Sequence, residues 1–250
     1  MRRRGVVCLL ALVLIAACQP RIQPDMGDGE TRAERLLAKL YHRNQTLKTF
    51  KGIGNIRIWN AAGSQSARIA WLGDIDGRLR LEILGPAGRP LMKMAYDGNC
   101  FYYYSVDTQE IRKHWLSNPS LERVIDVPVT IRELVFFLAG RFPVYAHGQV
   151  EIIQTDAAGA DQLLLRRFLS GIVEKITLAS DHASVSAVSV YDGQSPAYTA
   201  KLSDYRQIDG FSIPGQIGLT NGGAAGLVIQ IHQYWPNISV EDQQFVISPA

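Results

Sequence analysis

The sequence predicts a mainly β (α+β) chain, built on an antiparallel sheet of about eleven to thirteen short strands with few helices. Three observations predict it. Over most of the 250 residues, apolar side chains alternate with polar ones at a period of two, as half-buried strands require. Turn residues break these runs at short intervals, and a parallel crossover would need about a dozen residues or more, so neighbouring strands must be antiparallel. Helical periodicity is confined to two stretches, near residues 31–47 and 130–140.

At the N-terminus, Met1, Arg2, Arg3, Arg4 and Gly5 precede an apolar run that ends at Ala17, and Cys18 follows. A basic start, about a dozen apolar residues and a small-residue exit are the layout of a secretory signal. The run is too short for a spanning helix, which needs roughly 20 residues. Its exit, Ile15, Ala16, Ala17 and Cys18, resembles the bacterial lipobox. An ordinary signal with Cys18 behind small residues by chance is the competing reading. The lipobox resemblance implies cleavage before Cys18, acylation of its thiol and attachment to a membrane through that lipid. Each buried methylene contributes about 0.8 kcal/mol, so two or more chains anchor stably where one does not. Residues 1–17 are therefore expected to be signal peptide, and 18–30 the lipidated Cys with a flexible tether. The tether sequence QPRIQPDMGDGE holds two Pro and two Gly and lacks apolar periodicity. Fully extended, it reaches roughly 40 Å at about 3.3–3.6 Å per residue.

The elements of the expected single domain, 31–250, then follow in order. Thr31 and Glu34 have the spacing of a capping box, and Leu36, Leu37, Leu40, Tyr41 and Leu47 recur at helical spacing, with Arg35, Lys39 and Arg43 on the wet side. From Phe50 the period is two. Ile56 and Ile58 flank Arg57, Ile69 and Trp71 flank Ala70, and Leu79, Leu81 and Ile83 alternate with charged residues. Met92, Met94 and Tyr96 continue the pattern, with turns at 60–63, 73–77, 85–88, 97–99 and 107–108. Thr130 and Glu133 repeat the capping-box spacing, Pro128 stands just before, and Gly140 sits where a C′ residue would. Ile131, Leu134, Val135 and Leu138 form the stripe of this second helix. Phe136 and Phe137 broaden it, so the helix is expected to lie inside, across the dry face of the sheet. Strand patterns resume at 149–155, 162–169, 172–179, 184–191, 198–205, 215–220 and 226–234, and the chain closes with Phe245, Val246 and Ile247. Turns separate them at 157–160, 170–171, 192–196, 209–210 and 221–225.

Composition excludes several functions. The chain has 26 Lys+Arg and 23 Asp+Glu, and loss of Arg2, Arg3 and Arg4 with the signal leaves the two signs balanced. No nucleic-acid footprint is therefore expected. Of three Cys, Cys8 leaves with the signal and Cys18 carries lipid. Cys100 remains without an intramolecular partner and reads as a buried small hydrophobe. His42, His114, His147, His182 and His232 are scattered, with no pair at ligand spacing, so no metal and no cofactor is expected. The segment GQSPA around Ser195 has the wrong fifth residue for a nucleophile elbow. NGGAAG at 221–226 lacks a following Lys or helix and reads as a hairpin loop. No catalytic constellation appears, and an enzyme is not expected.

Two stretches carry a resemblance to a known family. Residues 78–88, RLRLEILGPAG, are a strand running into a Pro-x-Gly loop, and 127–143, VPVTIRELVFFLAGRFP, are a Pro-led helix ending in Gly-x-x-Pro. With the opening helix running into FKGIG at 50–54, the layout over 31–235 resembles the LolA/LolB superfamily of lipoprotein carriers, closest to LolB, the outer-membrane lipoprotein receptor. The resemblance implies an incomplete antiparallel β-barrel of about eleven strands with helices covering the open side. It implies a hydrophobic cavity whose candidate lining is Ile56, Ile58, Ile69, Trp71, Leu79, Leu81, Ile83, Met92, Met94, Tyr96, Ile131, Leu134, Val135 and Leu138. For any single one, such as Met92 or Ile83, packing in a core is the competing reading. The family's loop carries a protruding Leu between Pro and Gly. Here Pro86, Ala87 and Gly88 occupy it, with Arg89 beyond, and a plain β-turn is the competing reading. Gln19, after the lipidated Cys, implies release to the outer membrane where the enterobacterial sorting rule applies.

The function this predicts is an outer-membrane lipoprotein, on the periplasmic face, that takes acyl chains of other lipoproteins into its cavity and helps insert them. Its expected partners are acylated lipoproteins or their periplasmic carrier, and the membrane through its own lipid; it is expected to be a monomer. An accessory envelope lipoprotein of the same fold, binding another lipid, a glycolipid or a protein, is the alternative, motivated by Ala87.

Overall fold

A computed structural model of the chain describes residues 31–154, 160–168, 171–181 and 183–248. The expected signal, Cys18, Gln19 and the tether lie outside the described residues, as do most of the turn at 157–160 and Ser170. Arg32–Ala250 form a compact unit with a continuous core of their own, which is what a stretch needs to fold by itself.

The unit opens with α1 (Arg32–Tyr41). A meander follows: β1 (Thr49–Asn60), β2 (Gly63–Asp74), β3 (Leu79–Leu84), β4 (Pro90–Tyr96), β5 (Cys100–Ser105) and β6 (Ile111–Trp115). Two helices, α2 (Glu122–Ile125) and α3 (Ile131–Leu138), interrupt the strands. A second meander runs through β7 (Gln149–Gln154), β8 (Asp161–Arg167), β9 (Gly171–Leu178), β10 (Val185–Asp192) and β11 (Ser195–Ser203). A small ribbon, β12 (Arg206–Ile208) with β13 (Phe211–Ile213), precedes β14 (Gln216–Thr220) and β15 (Gly226–Pro236).

All strands except the ribbon share one antiparallel sheet of thirteen strands, in the order β6-β5-β4-β3-β2-β1-β15-β14-β11-β10-β9-β8-β7. The sheet does not close, since β6 and β7 are its two ends. The first strand pairs with the last, Ile56 opposite Ile229 and Ile58 opposite Leu227, so the two meanders meet at this seam. The inner face carries the alternating apolar residues. Leu79, Leu81 and Ile83 stand opposite Tyr96, Met94 and Met92, and Leu163 and Ile176 face inward on the far side.

Three elements differ from expectation. The first helix ends at Tyr41 rather than running to Leu47, because the chain turns through Asn44 at φ 56°. Leu47 is nevertheless fully buried, having reached the core from the loop. The terminal Phe245, Val246 and Ile247 are not a strand. A 3-10 turn over Asp242–Phe245 lays Phe245 and Ile247 on the outer face, where Ile247 covers Ala95, Cys100 and Tyr102. The β12–β13 ribbon also goes unforeseen; its turn at Asp209 and Gly210, both at positive φ, is the chemistry of a tight hairpin.

α3 has the predicted limits. Thr130 caps it, its side chain accepting from the Glu133 N–H while the Glu133 carboxylate accepts from the Thr130 N–H at 2.6 Å. At the other end the Gly140 N–H donates to the Phe137 carbonyl and the Arg141 N–H to the Phe136 carbonyl, at 3.0 and 2.8 Å. These two bonds with Gly140 at φ 65° are a Schellman cap. A Cβ at Gly140 would collide with the Ser212 carbonyl oxygen, so glycine is required by space as well as by conformation.

Candidate functional site

Between the inner face of the first meander and the helices α2 and α3 lies a cavity of about 490 Å³. Its sheet wall is built at a period of two: Ile56 and Ile58 from β1, Leu79, Leu81 and Ile83 from β3, Met92 and Met94 from β4. Leu227 and Ile229, paired with β1 across the seam, extend that wall. Its roof is helical, with Leu121, Val124 and Ile125 in and before α2, and Ile131 and Leu134 on α3. The volume and the apolar lining are typical of small-molecule sites, whose walls are mostly hydrophobic with a few polar groups.

The remaining expected residues lie elsewhere. Ile69, Trp71, Tyr96, Val135 and Leu138 are buried in the core and do not line the cavity. The Trp71 ring lies over Gly52, where any Cβ would overlap it, and fills the space that the missing side chain leaves. The Tyr96 hydroxyl is engaged structurally, donating to the Gly98 carbonyl at 2.7 Å and accepting from the Asn118 N–H at 3.0 Å. Val135 and Leu138 turn away from the cavity on α3, into the general core.

Several lining residues escape sequence reasoning. α2 is one turn long, too short to show a period, and Val124 is half-exposed there. Leu227 and Ile229 belong to a strand that is legible as alternation, but its pairing with β1 is a long-range fact. Trp59 stands at the end of β1 beside the mouth.

The mouth is at the end of the sheet where β1 turns into β2. Asn60 pairs with Gly63, Trp59 with Ser64 and Ile58 with Gln65. These groups line the cavity's edge, and the Asn60 amide donates to Asp126 at 2.9 Å, tying the hairpin to the end of α2. The β3–β4 hairpin lies at the same end, since Arg68 of β2 pairs with Leu84. Its tip, Pro86, Ala87 and Gly88, is exposed and closed by paired bonds between Gly85 and Arg89 and between Gly88 and Gly85, each 2.9 Å.

The roof is fastened by one buried carboxylate. Glu133 of α3 accepts from the Tyr198 hydroxyl of β11 at 2.6 Å, from the Tyr145 hydroxyl, and from the Thr130 hydroxyl at 2.7 Å. Burial, then the Glu133 charge, hold the Tyr145 phenol well above its usual range. Beneath it on β9, Glu174 is fully buried and accepts from the Tyr145 N–H at 3.1 Å, while its other oxygen has no partner among the described residues. Burial pushes the Glu174 carboxyl up to about 8, with the neighbouring Glu133 charge adding to the rise against the Tyr145 hydrogen bond. Glu133 holds the roof in place, and neither acid lines the cavity.

As a sequence, the chain matches no family profile and no curated protein. Its fold has solved counterparts. It is similar to a LolA superfamily protein from Nitrosomonas europaea, with a TM-score of 0.58 at 12% identity, covering 87% of this chain and 99% of that one. It is similar to an outer membrane lipoprotein-sorting protein domain from Vibrio parahaemolyticus, with a TM-score of 0.57 at 11% identity, over 84% and 94% of the two chains. A DUF1329 family protein from Desulfovibrio piger matches with a TM-score of 0.53 at 13% identity, over 85% and 95%. At these identities the likeness establishes the fold alone. That fold is the open, mostly β, antiparallel half-barrel of LolA-like proteins.

Proposed function

We propose that this chain is a LolB-like acceptor of lipoproteins, tethered to the periplasmic face of the outer membrane by lipid on Cys18. It takes the acyl chain of an incoming lipoprotein into the cavity beneath α2 and α3 and passes it to the membrane. The observation that carries the reading is the cavity itself, about 490 Å³ with an apolar wall, on a fold shared with a lipoprotein-sorting domain. Acyl chains offer apolar area without hydrogen-bonding groups, and at about 25 cal/mol per Å² a few hundred Å² of buried chain gives several kcal/mol. The lining holds no group able to act as nucleophile beside a base, which favours binding over catalysis. Gln19 after the lipidated Cys supports outer-membrane sorting, and the partners are acylated lipoproteins or the carrier that delivers them.

The test is mass spectrometry of what copurifies with residues 31–250, joined to depletion of the protein in cells. Acylated species in the purified domain and mislocalised lipoproteins in depleted cells are expected. A domain free of acyl compounds, with lipoproteins still reaching the outer membrane, overturns the reading.

Ala87 favours a second reading, an accessory lipoprotein of the same fold that does not insert cargo. The residue is exposed at the tip of the β3–β4 hairpin, beside the mouth, and offers little apolar area to a bilayer. Ala87→Leu and Ala87→Glu separate the two. A receptor gains lipoprotein delivery with Leu and loses it with Glu, measured by transfer to outer-membrane vesicles, whereas equal transfer by both variants supports the accessory role.

A further inference from the structure

The size of the cavity decides how much of a lipid it can take, a question that rests on the acyl-binding reading above. The cavity is confined to the first meander and the seam. Past the seam the inner face is solid: Ile217 and Leu219 of β14, opposite the lining residues Ile229 and Leu227, have no surface that a water molecule can reach. The same holds for Leu163 of β8 and Ile176 of β9, further along the sheet. On β2, Ile69 is equally closed, and the Trp71 ring fills the space over Gly52. The roof is anchored as well. Val135, Phe137 and Leu138 of α3 are fully buried, and the bond from the Tyr198 hydroxyl to Glu133, at 2.6 Å, lies in the interior. Raising α3 to widen the slot breaks that bond and strips those side chains from their packing. Met92 and Met94 adapt their shape to a ligand, but rotation of a side chain adds no volume.

An apolar cavity of about 150 Å³ takes up one benzene, about 25 Å³ for each carbon, so 490 Å³ holds about 20 carbons. From this match we infer that the cavity lodges one long acyl chain at a time, and that a cargo carrying several chains places one inside and leaves the others at the mouth. A second palmitoyl chain asks for nearly the same volume again, and forcing it between a packed sheet and an anchored roof overpacks the site. A single chain longer than the cavity is not refused. Its surplus carbons stand in water at the mouth, where each further methylene gains nothing. The side chains that border the space set the length at which this happens. Ile83 of β3 is one of them, and it is only half-buried, so trimming it enlarges the room at little cost to the core.

The test is native mass spectrometry of residues 31–250 with lysophosphatidylcholines, which carry a single chain, kept below the concentration at which they form micelles. At saturation one copy of the palmitoyl compound is expected on each protein. Across a series of chain lengths, affinity is expected to rise about fourfold per methylene and to level off at about 20 carbons. Ile83→Ala removes three carbons from the lining and is expected to move that limit by about three carbons, still with one copy bound. If the variant does not fold, the series on the native protein decides alone. Two copies on the native protein, or an affinity that keeps climbing well past the limit, overturns the single-chain capacity while leaving the acyl cavity standing. No copy bound at any length overturns the acyl-binding reading, and the capacity falls with it.

Discussion

Glu174 is buried without a full set of partners, and its carboxyl rises from an ordinary 4.5 to about 8. Between these values the folded protein keeps a proton that the unfolded chain has released. Stability therefore falls as pH rises through this window, and is flat with respect to this group above and below it. Glu174→Gln keeps the shape and removes the charge. Urea midpoints of the two proteins are expected to coincide near pH 4.5 and to separate progressively up to about pH 8, the variant being the more stable; a constant difference would remove Glu174 as the cause. A residue of this kind was legible only in part. Alternation over 172–179 marks the strand, and parity places Glu174 on the same face as Ile176 and Leu178. Its partner Tyr145 lies 29 positions away in a segment without regular structure, and no local pattern announces such a contact. Gly140 was legible outright, because a helix end requiring positive φ leaves glycine as its cheapest occupant.

The helix α3 shows why some elements read cleanly and others do not. Its start is set by Thr130 and Glu133 within four residues, and its end by Gly140, so every signal is local. Thr130→Ala removes the cap and the hydroxyl on Glu133 together, and a loss of about 1 kcal/mol is expected in chemical denaturation. Acyl binding should weaken alongside it, because Ile131 and Leu134 in the next turn form part of the roof. A thermal-shift titration with methyl palmitate would register both effects. By contrast, helical spacing runs on past the end of α1, because Leu47 keeps the period while belonging to a loop. The chain turns there to satisfy Asn44, whose amide donates to the carbonyls of Ala139 and Ser212 at 2.9 Å. A tertiary hydrogen bond overrides the period. The terminal Phe245–Ile247 segment reads as strand for a similar reason: its apolar residues are spaced to pack on a sheet, but they do so by lying on its outer face.

At the scale of the whole molecule, the strand count and the antiparallel pairing follow from turn spacing and alternation, and the openness of the sheet from the family resemblance alone, while the cavity follows from neither spacing nor alternation. Alternation says that a side chain faces inward; it does not distinguish a chain that fills space from one that borders it. Ile69 and Leu81 have the same pattern, yet only Leu81 lines the cavity. Filling that space separates lining from core experimentally. Met94→Trp is expected to abolish uptake of methyl palmitate with little change in the thermal midpoint, because the added ring enters existing room instead of displacing packed neighbours. A midpoint that falls sharply would mean that Met94 is core. The seam between β1 and β15 has a different kind of consequence. Almost every other pairing in the sheet joins strands that are near in sequence, so each meander can assemble as it is synthesised. β1 is among the earliest strands to emerge and its partner is the last, so one side of it stays bare for nearly the whole synthesis. During that interval the nascent protein carries a sticky ribbon of unpaired amides and carbonyls, and its yield in the cell depends on how quickly the C-terminal strand arrives to cover it.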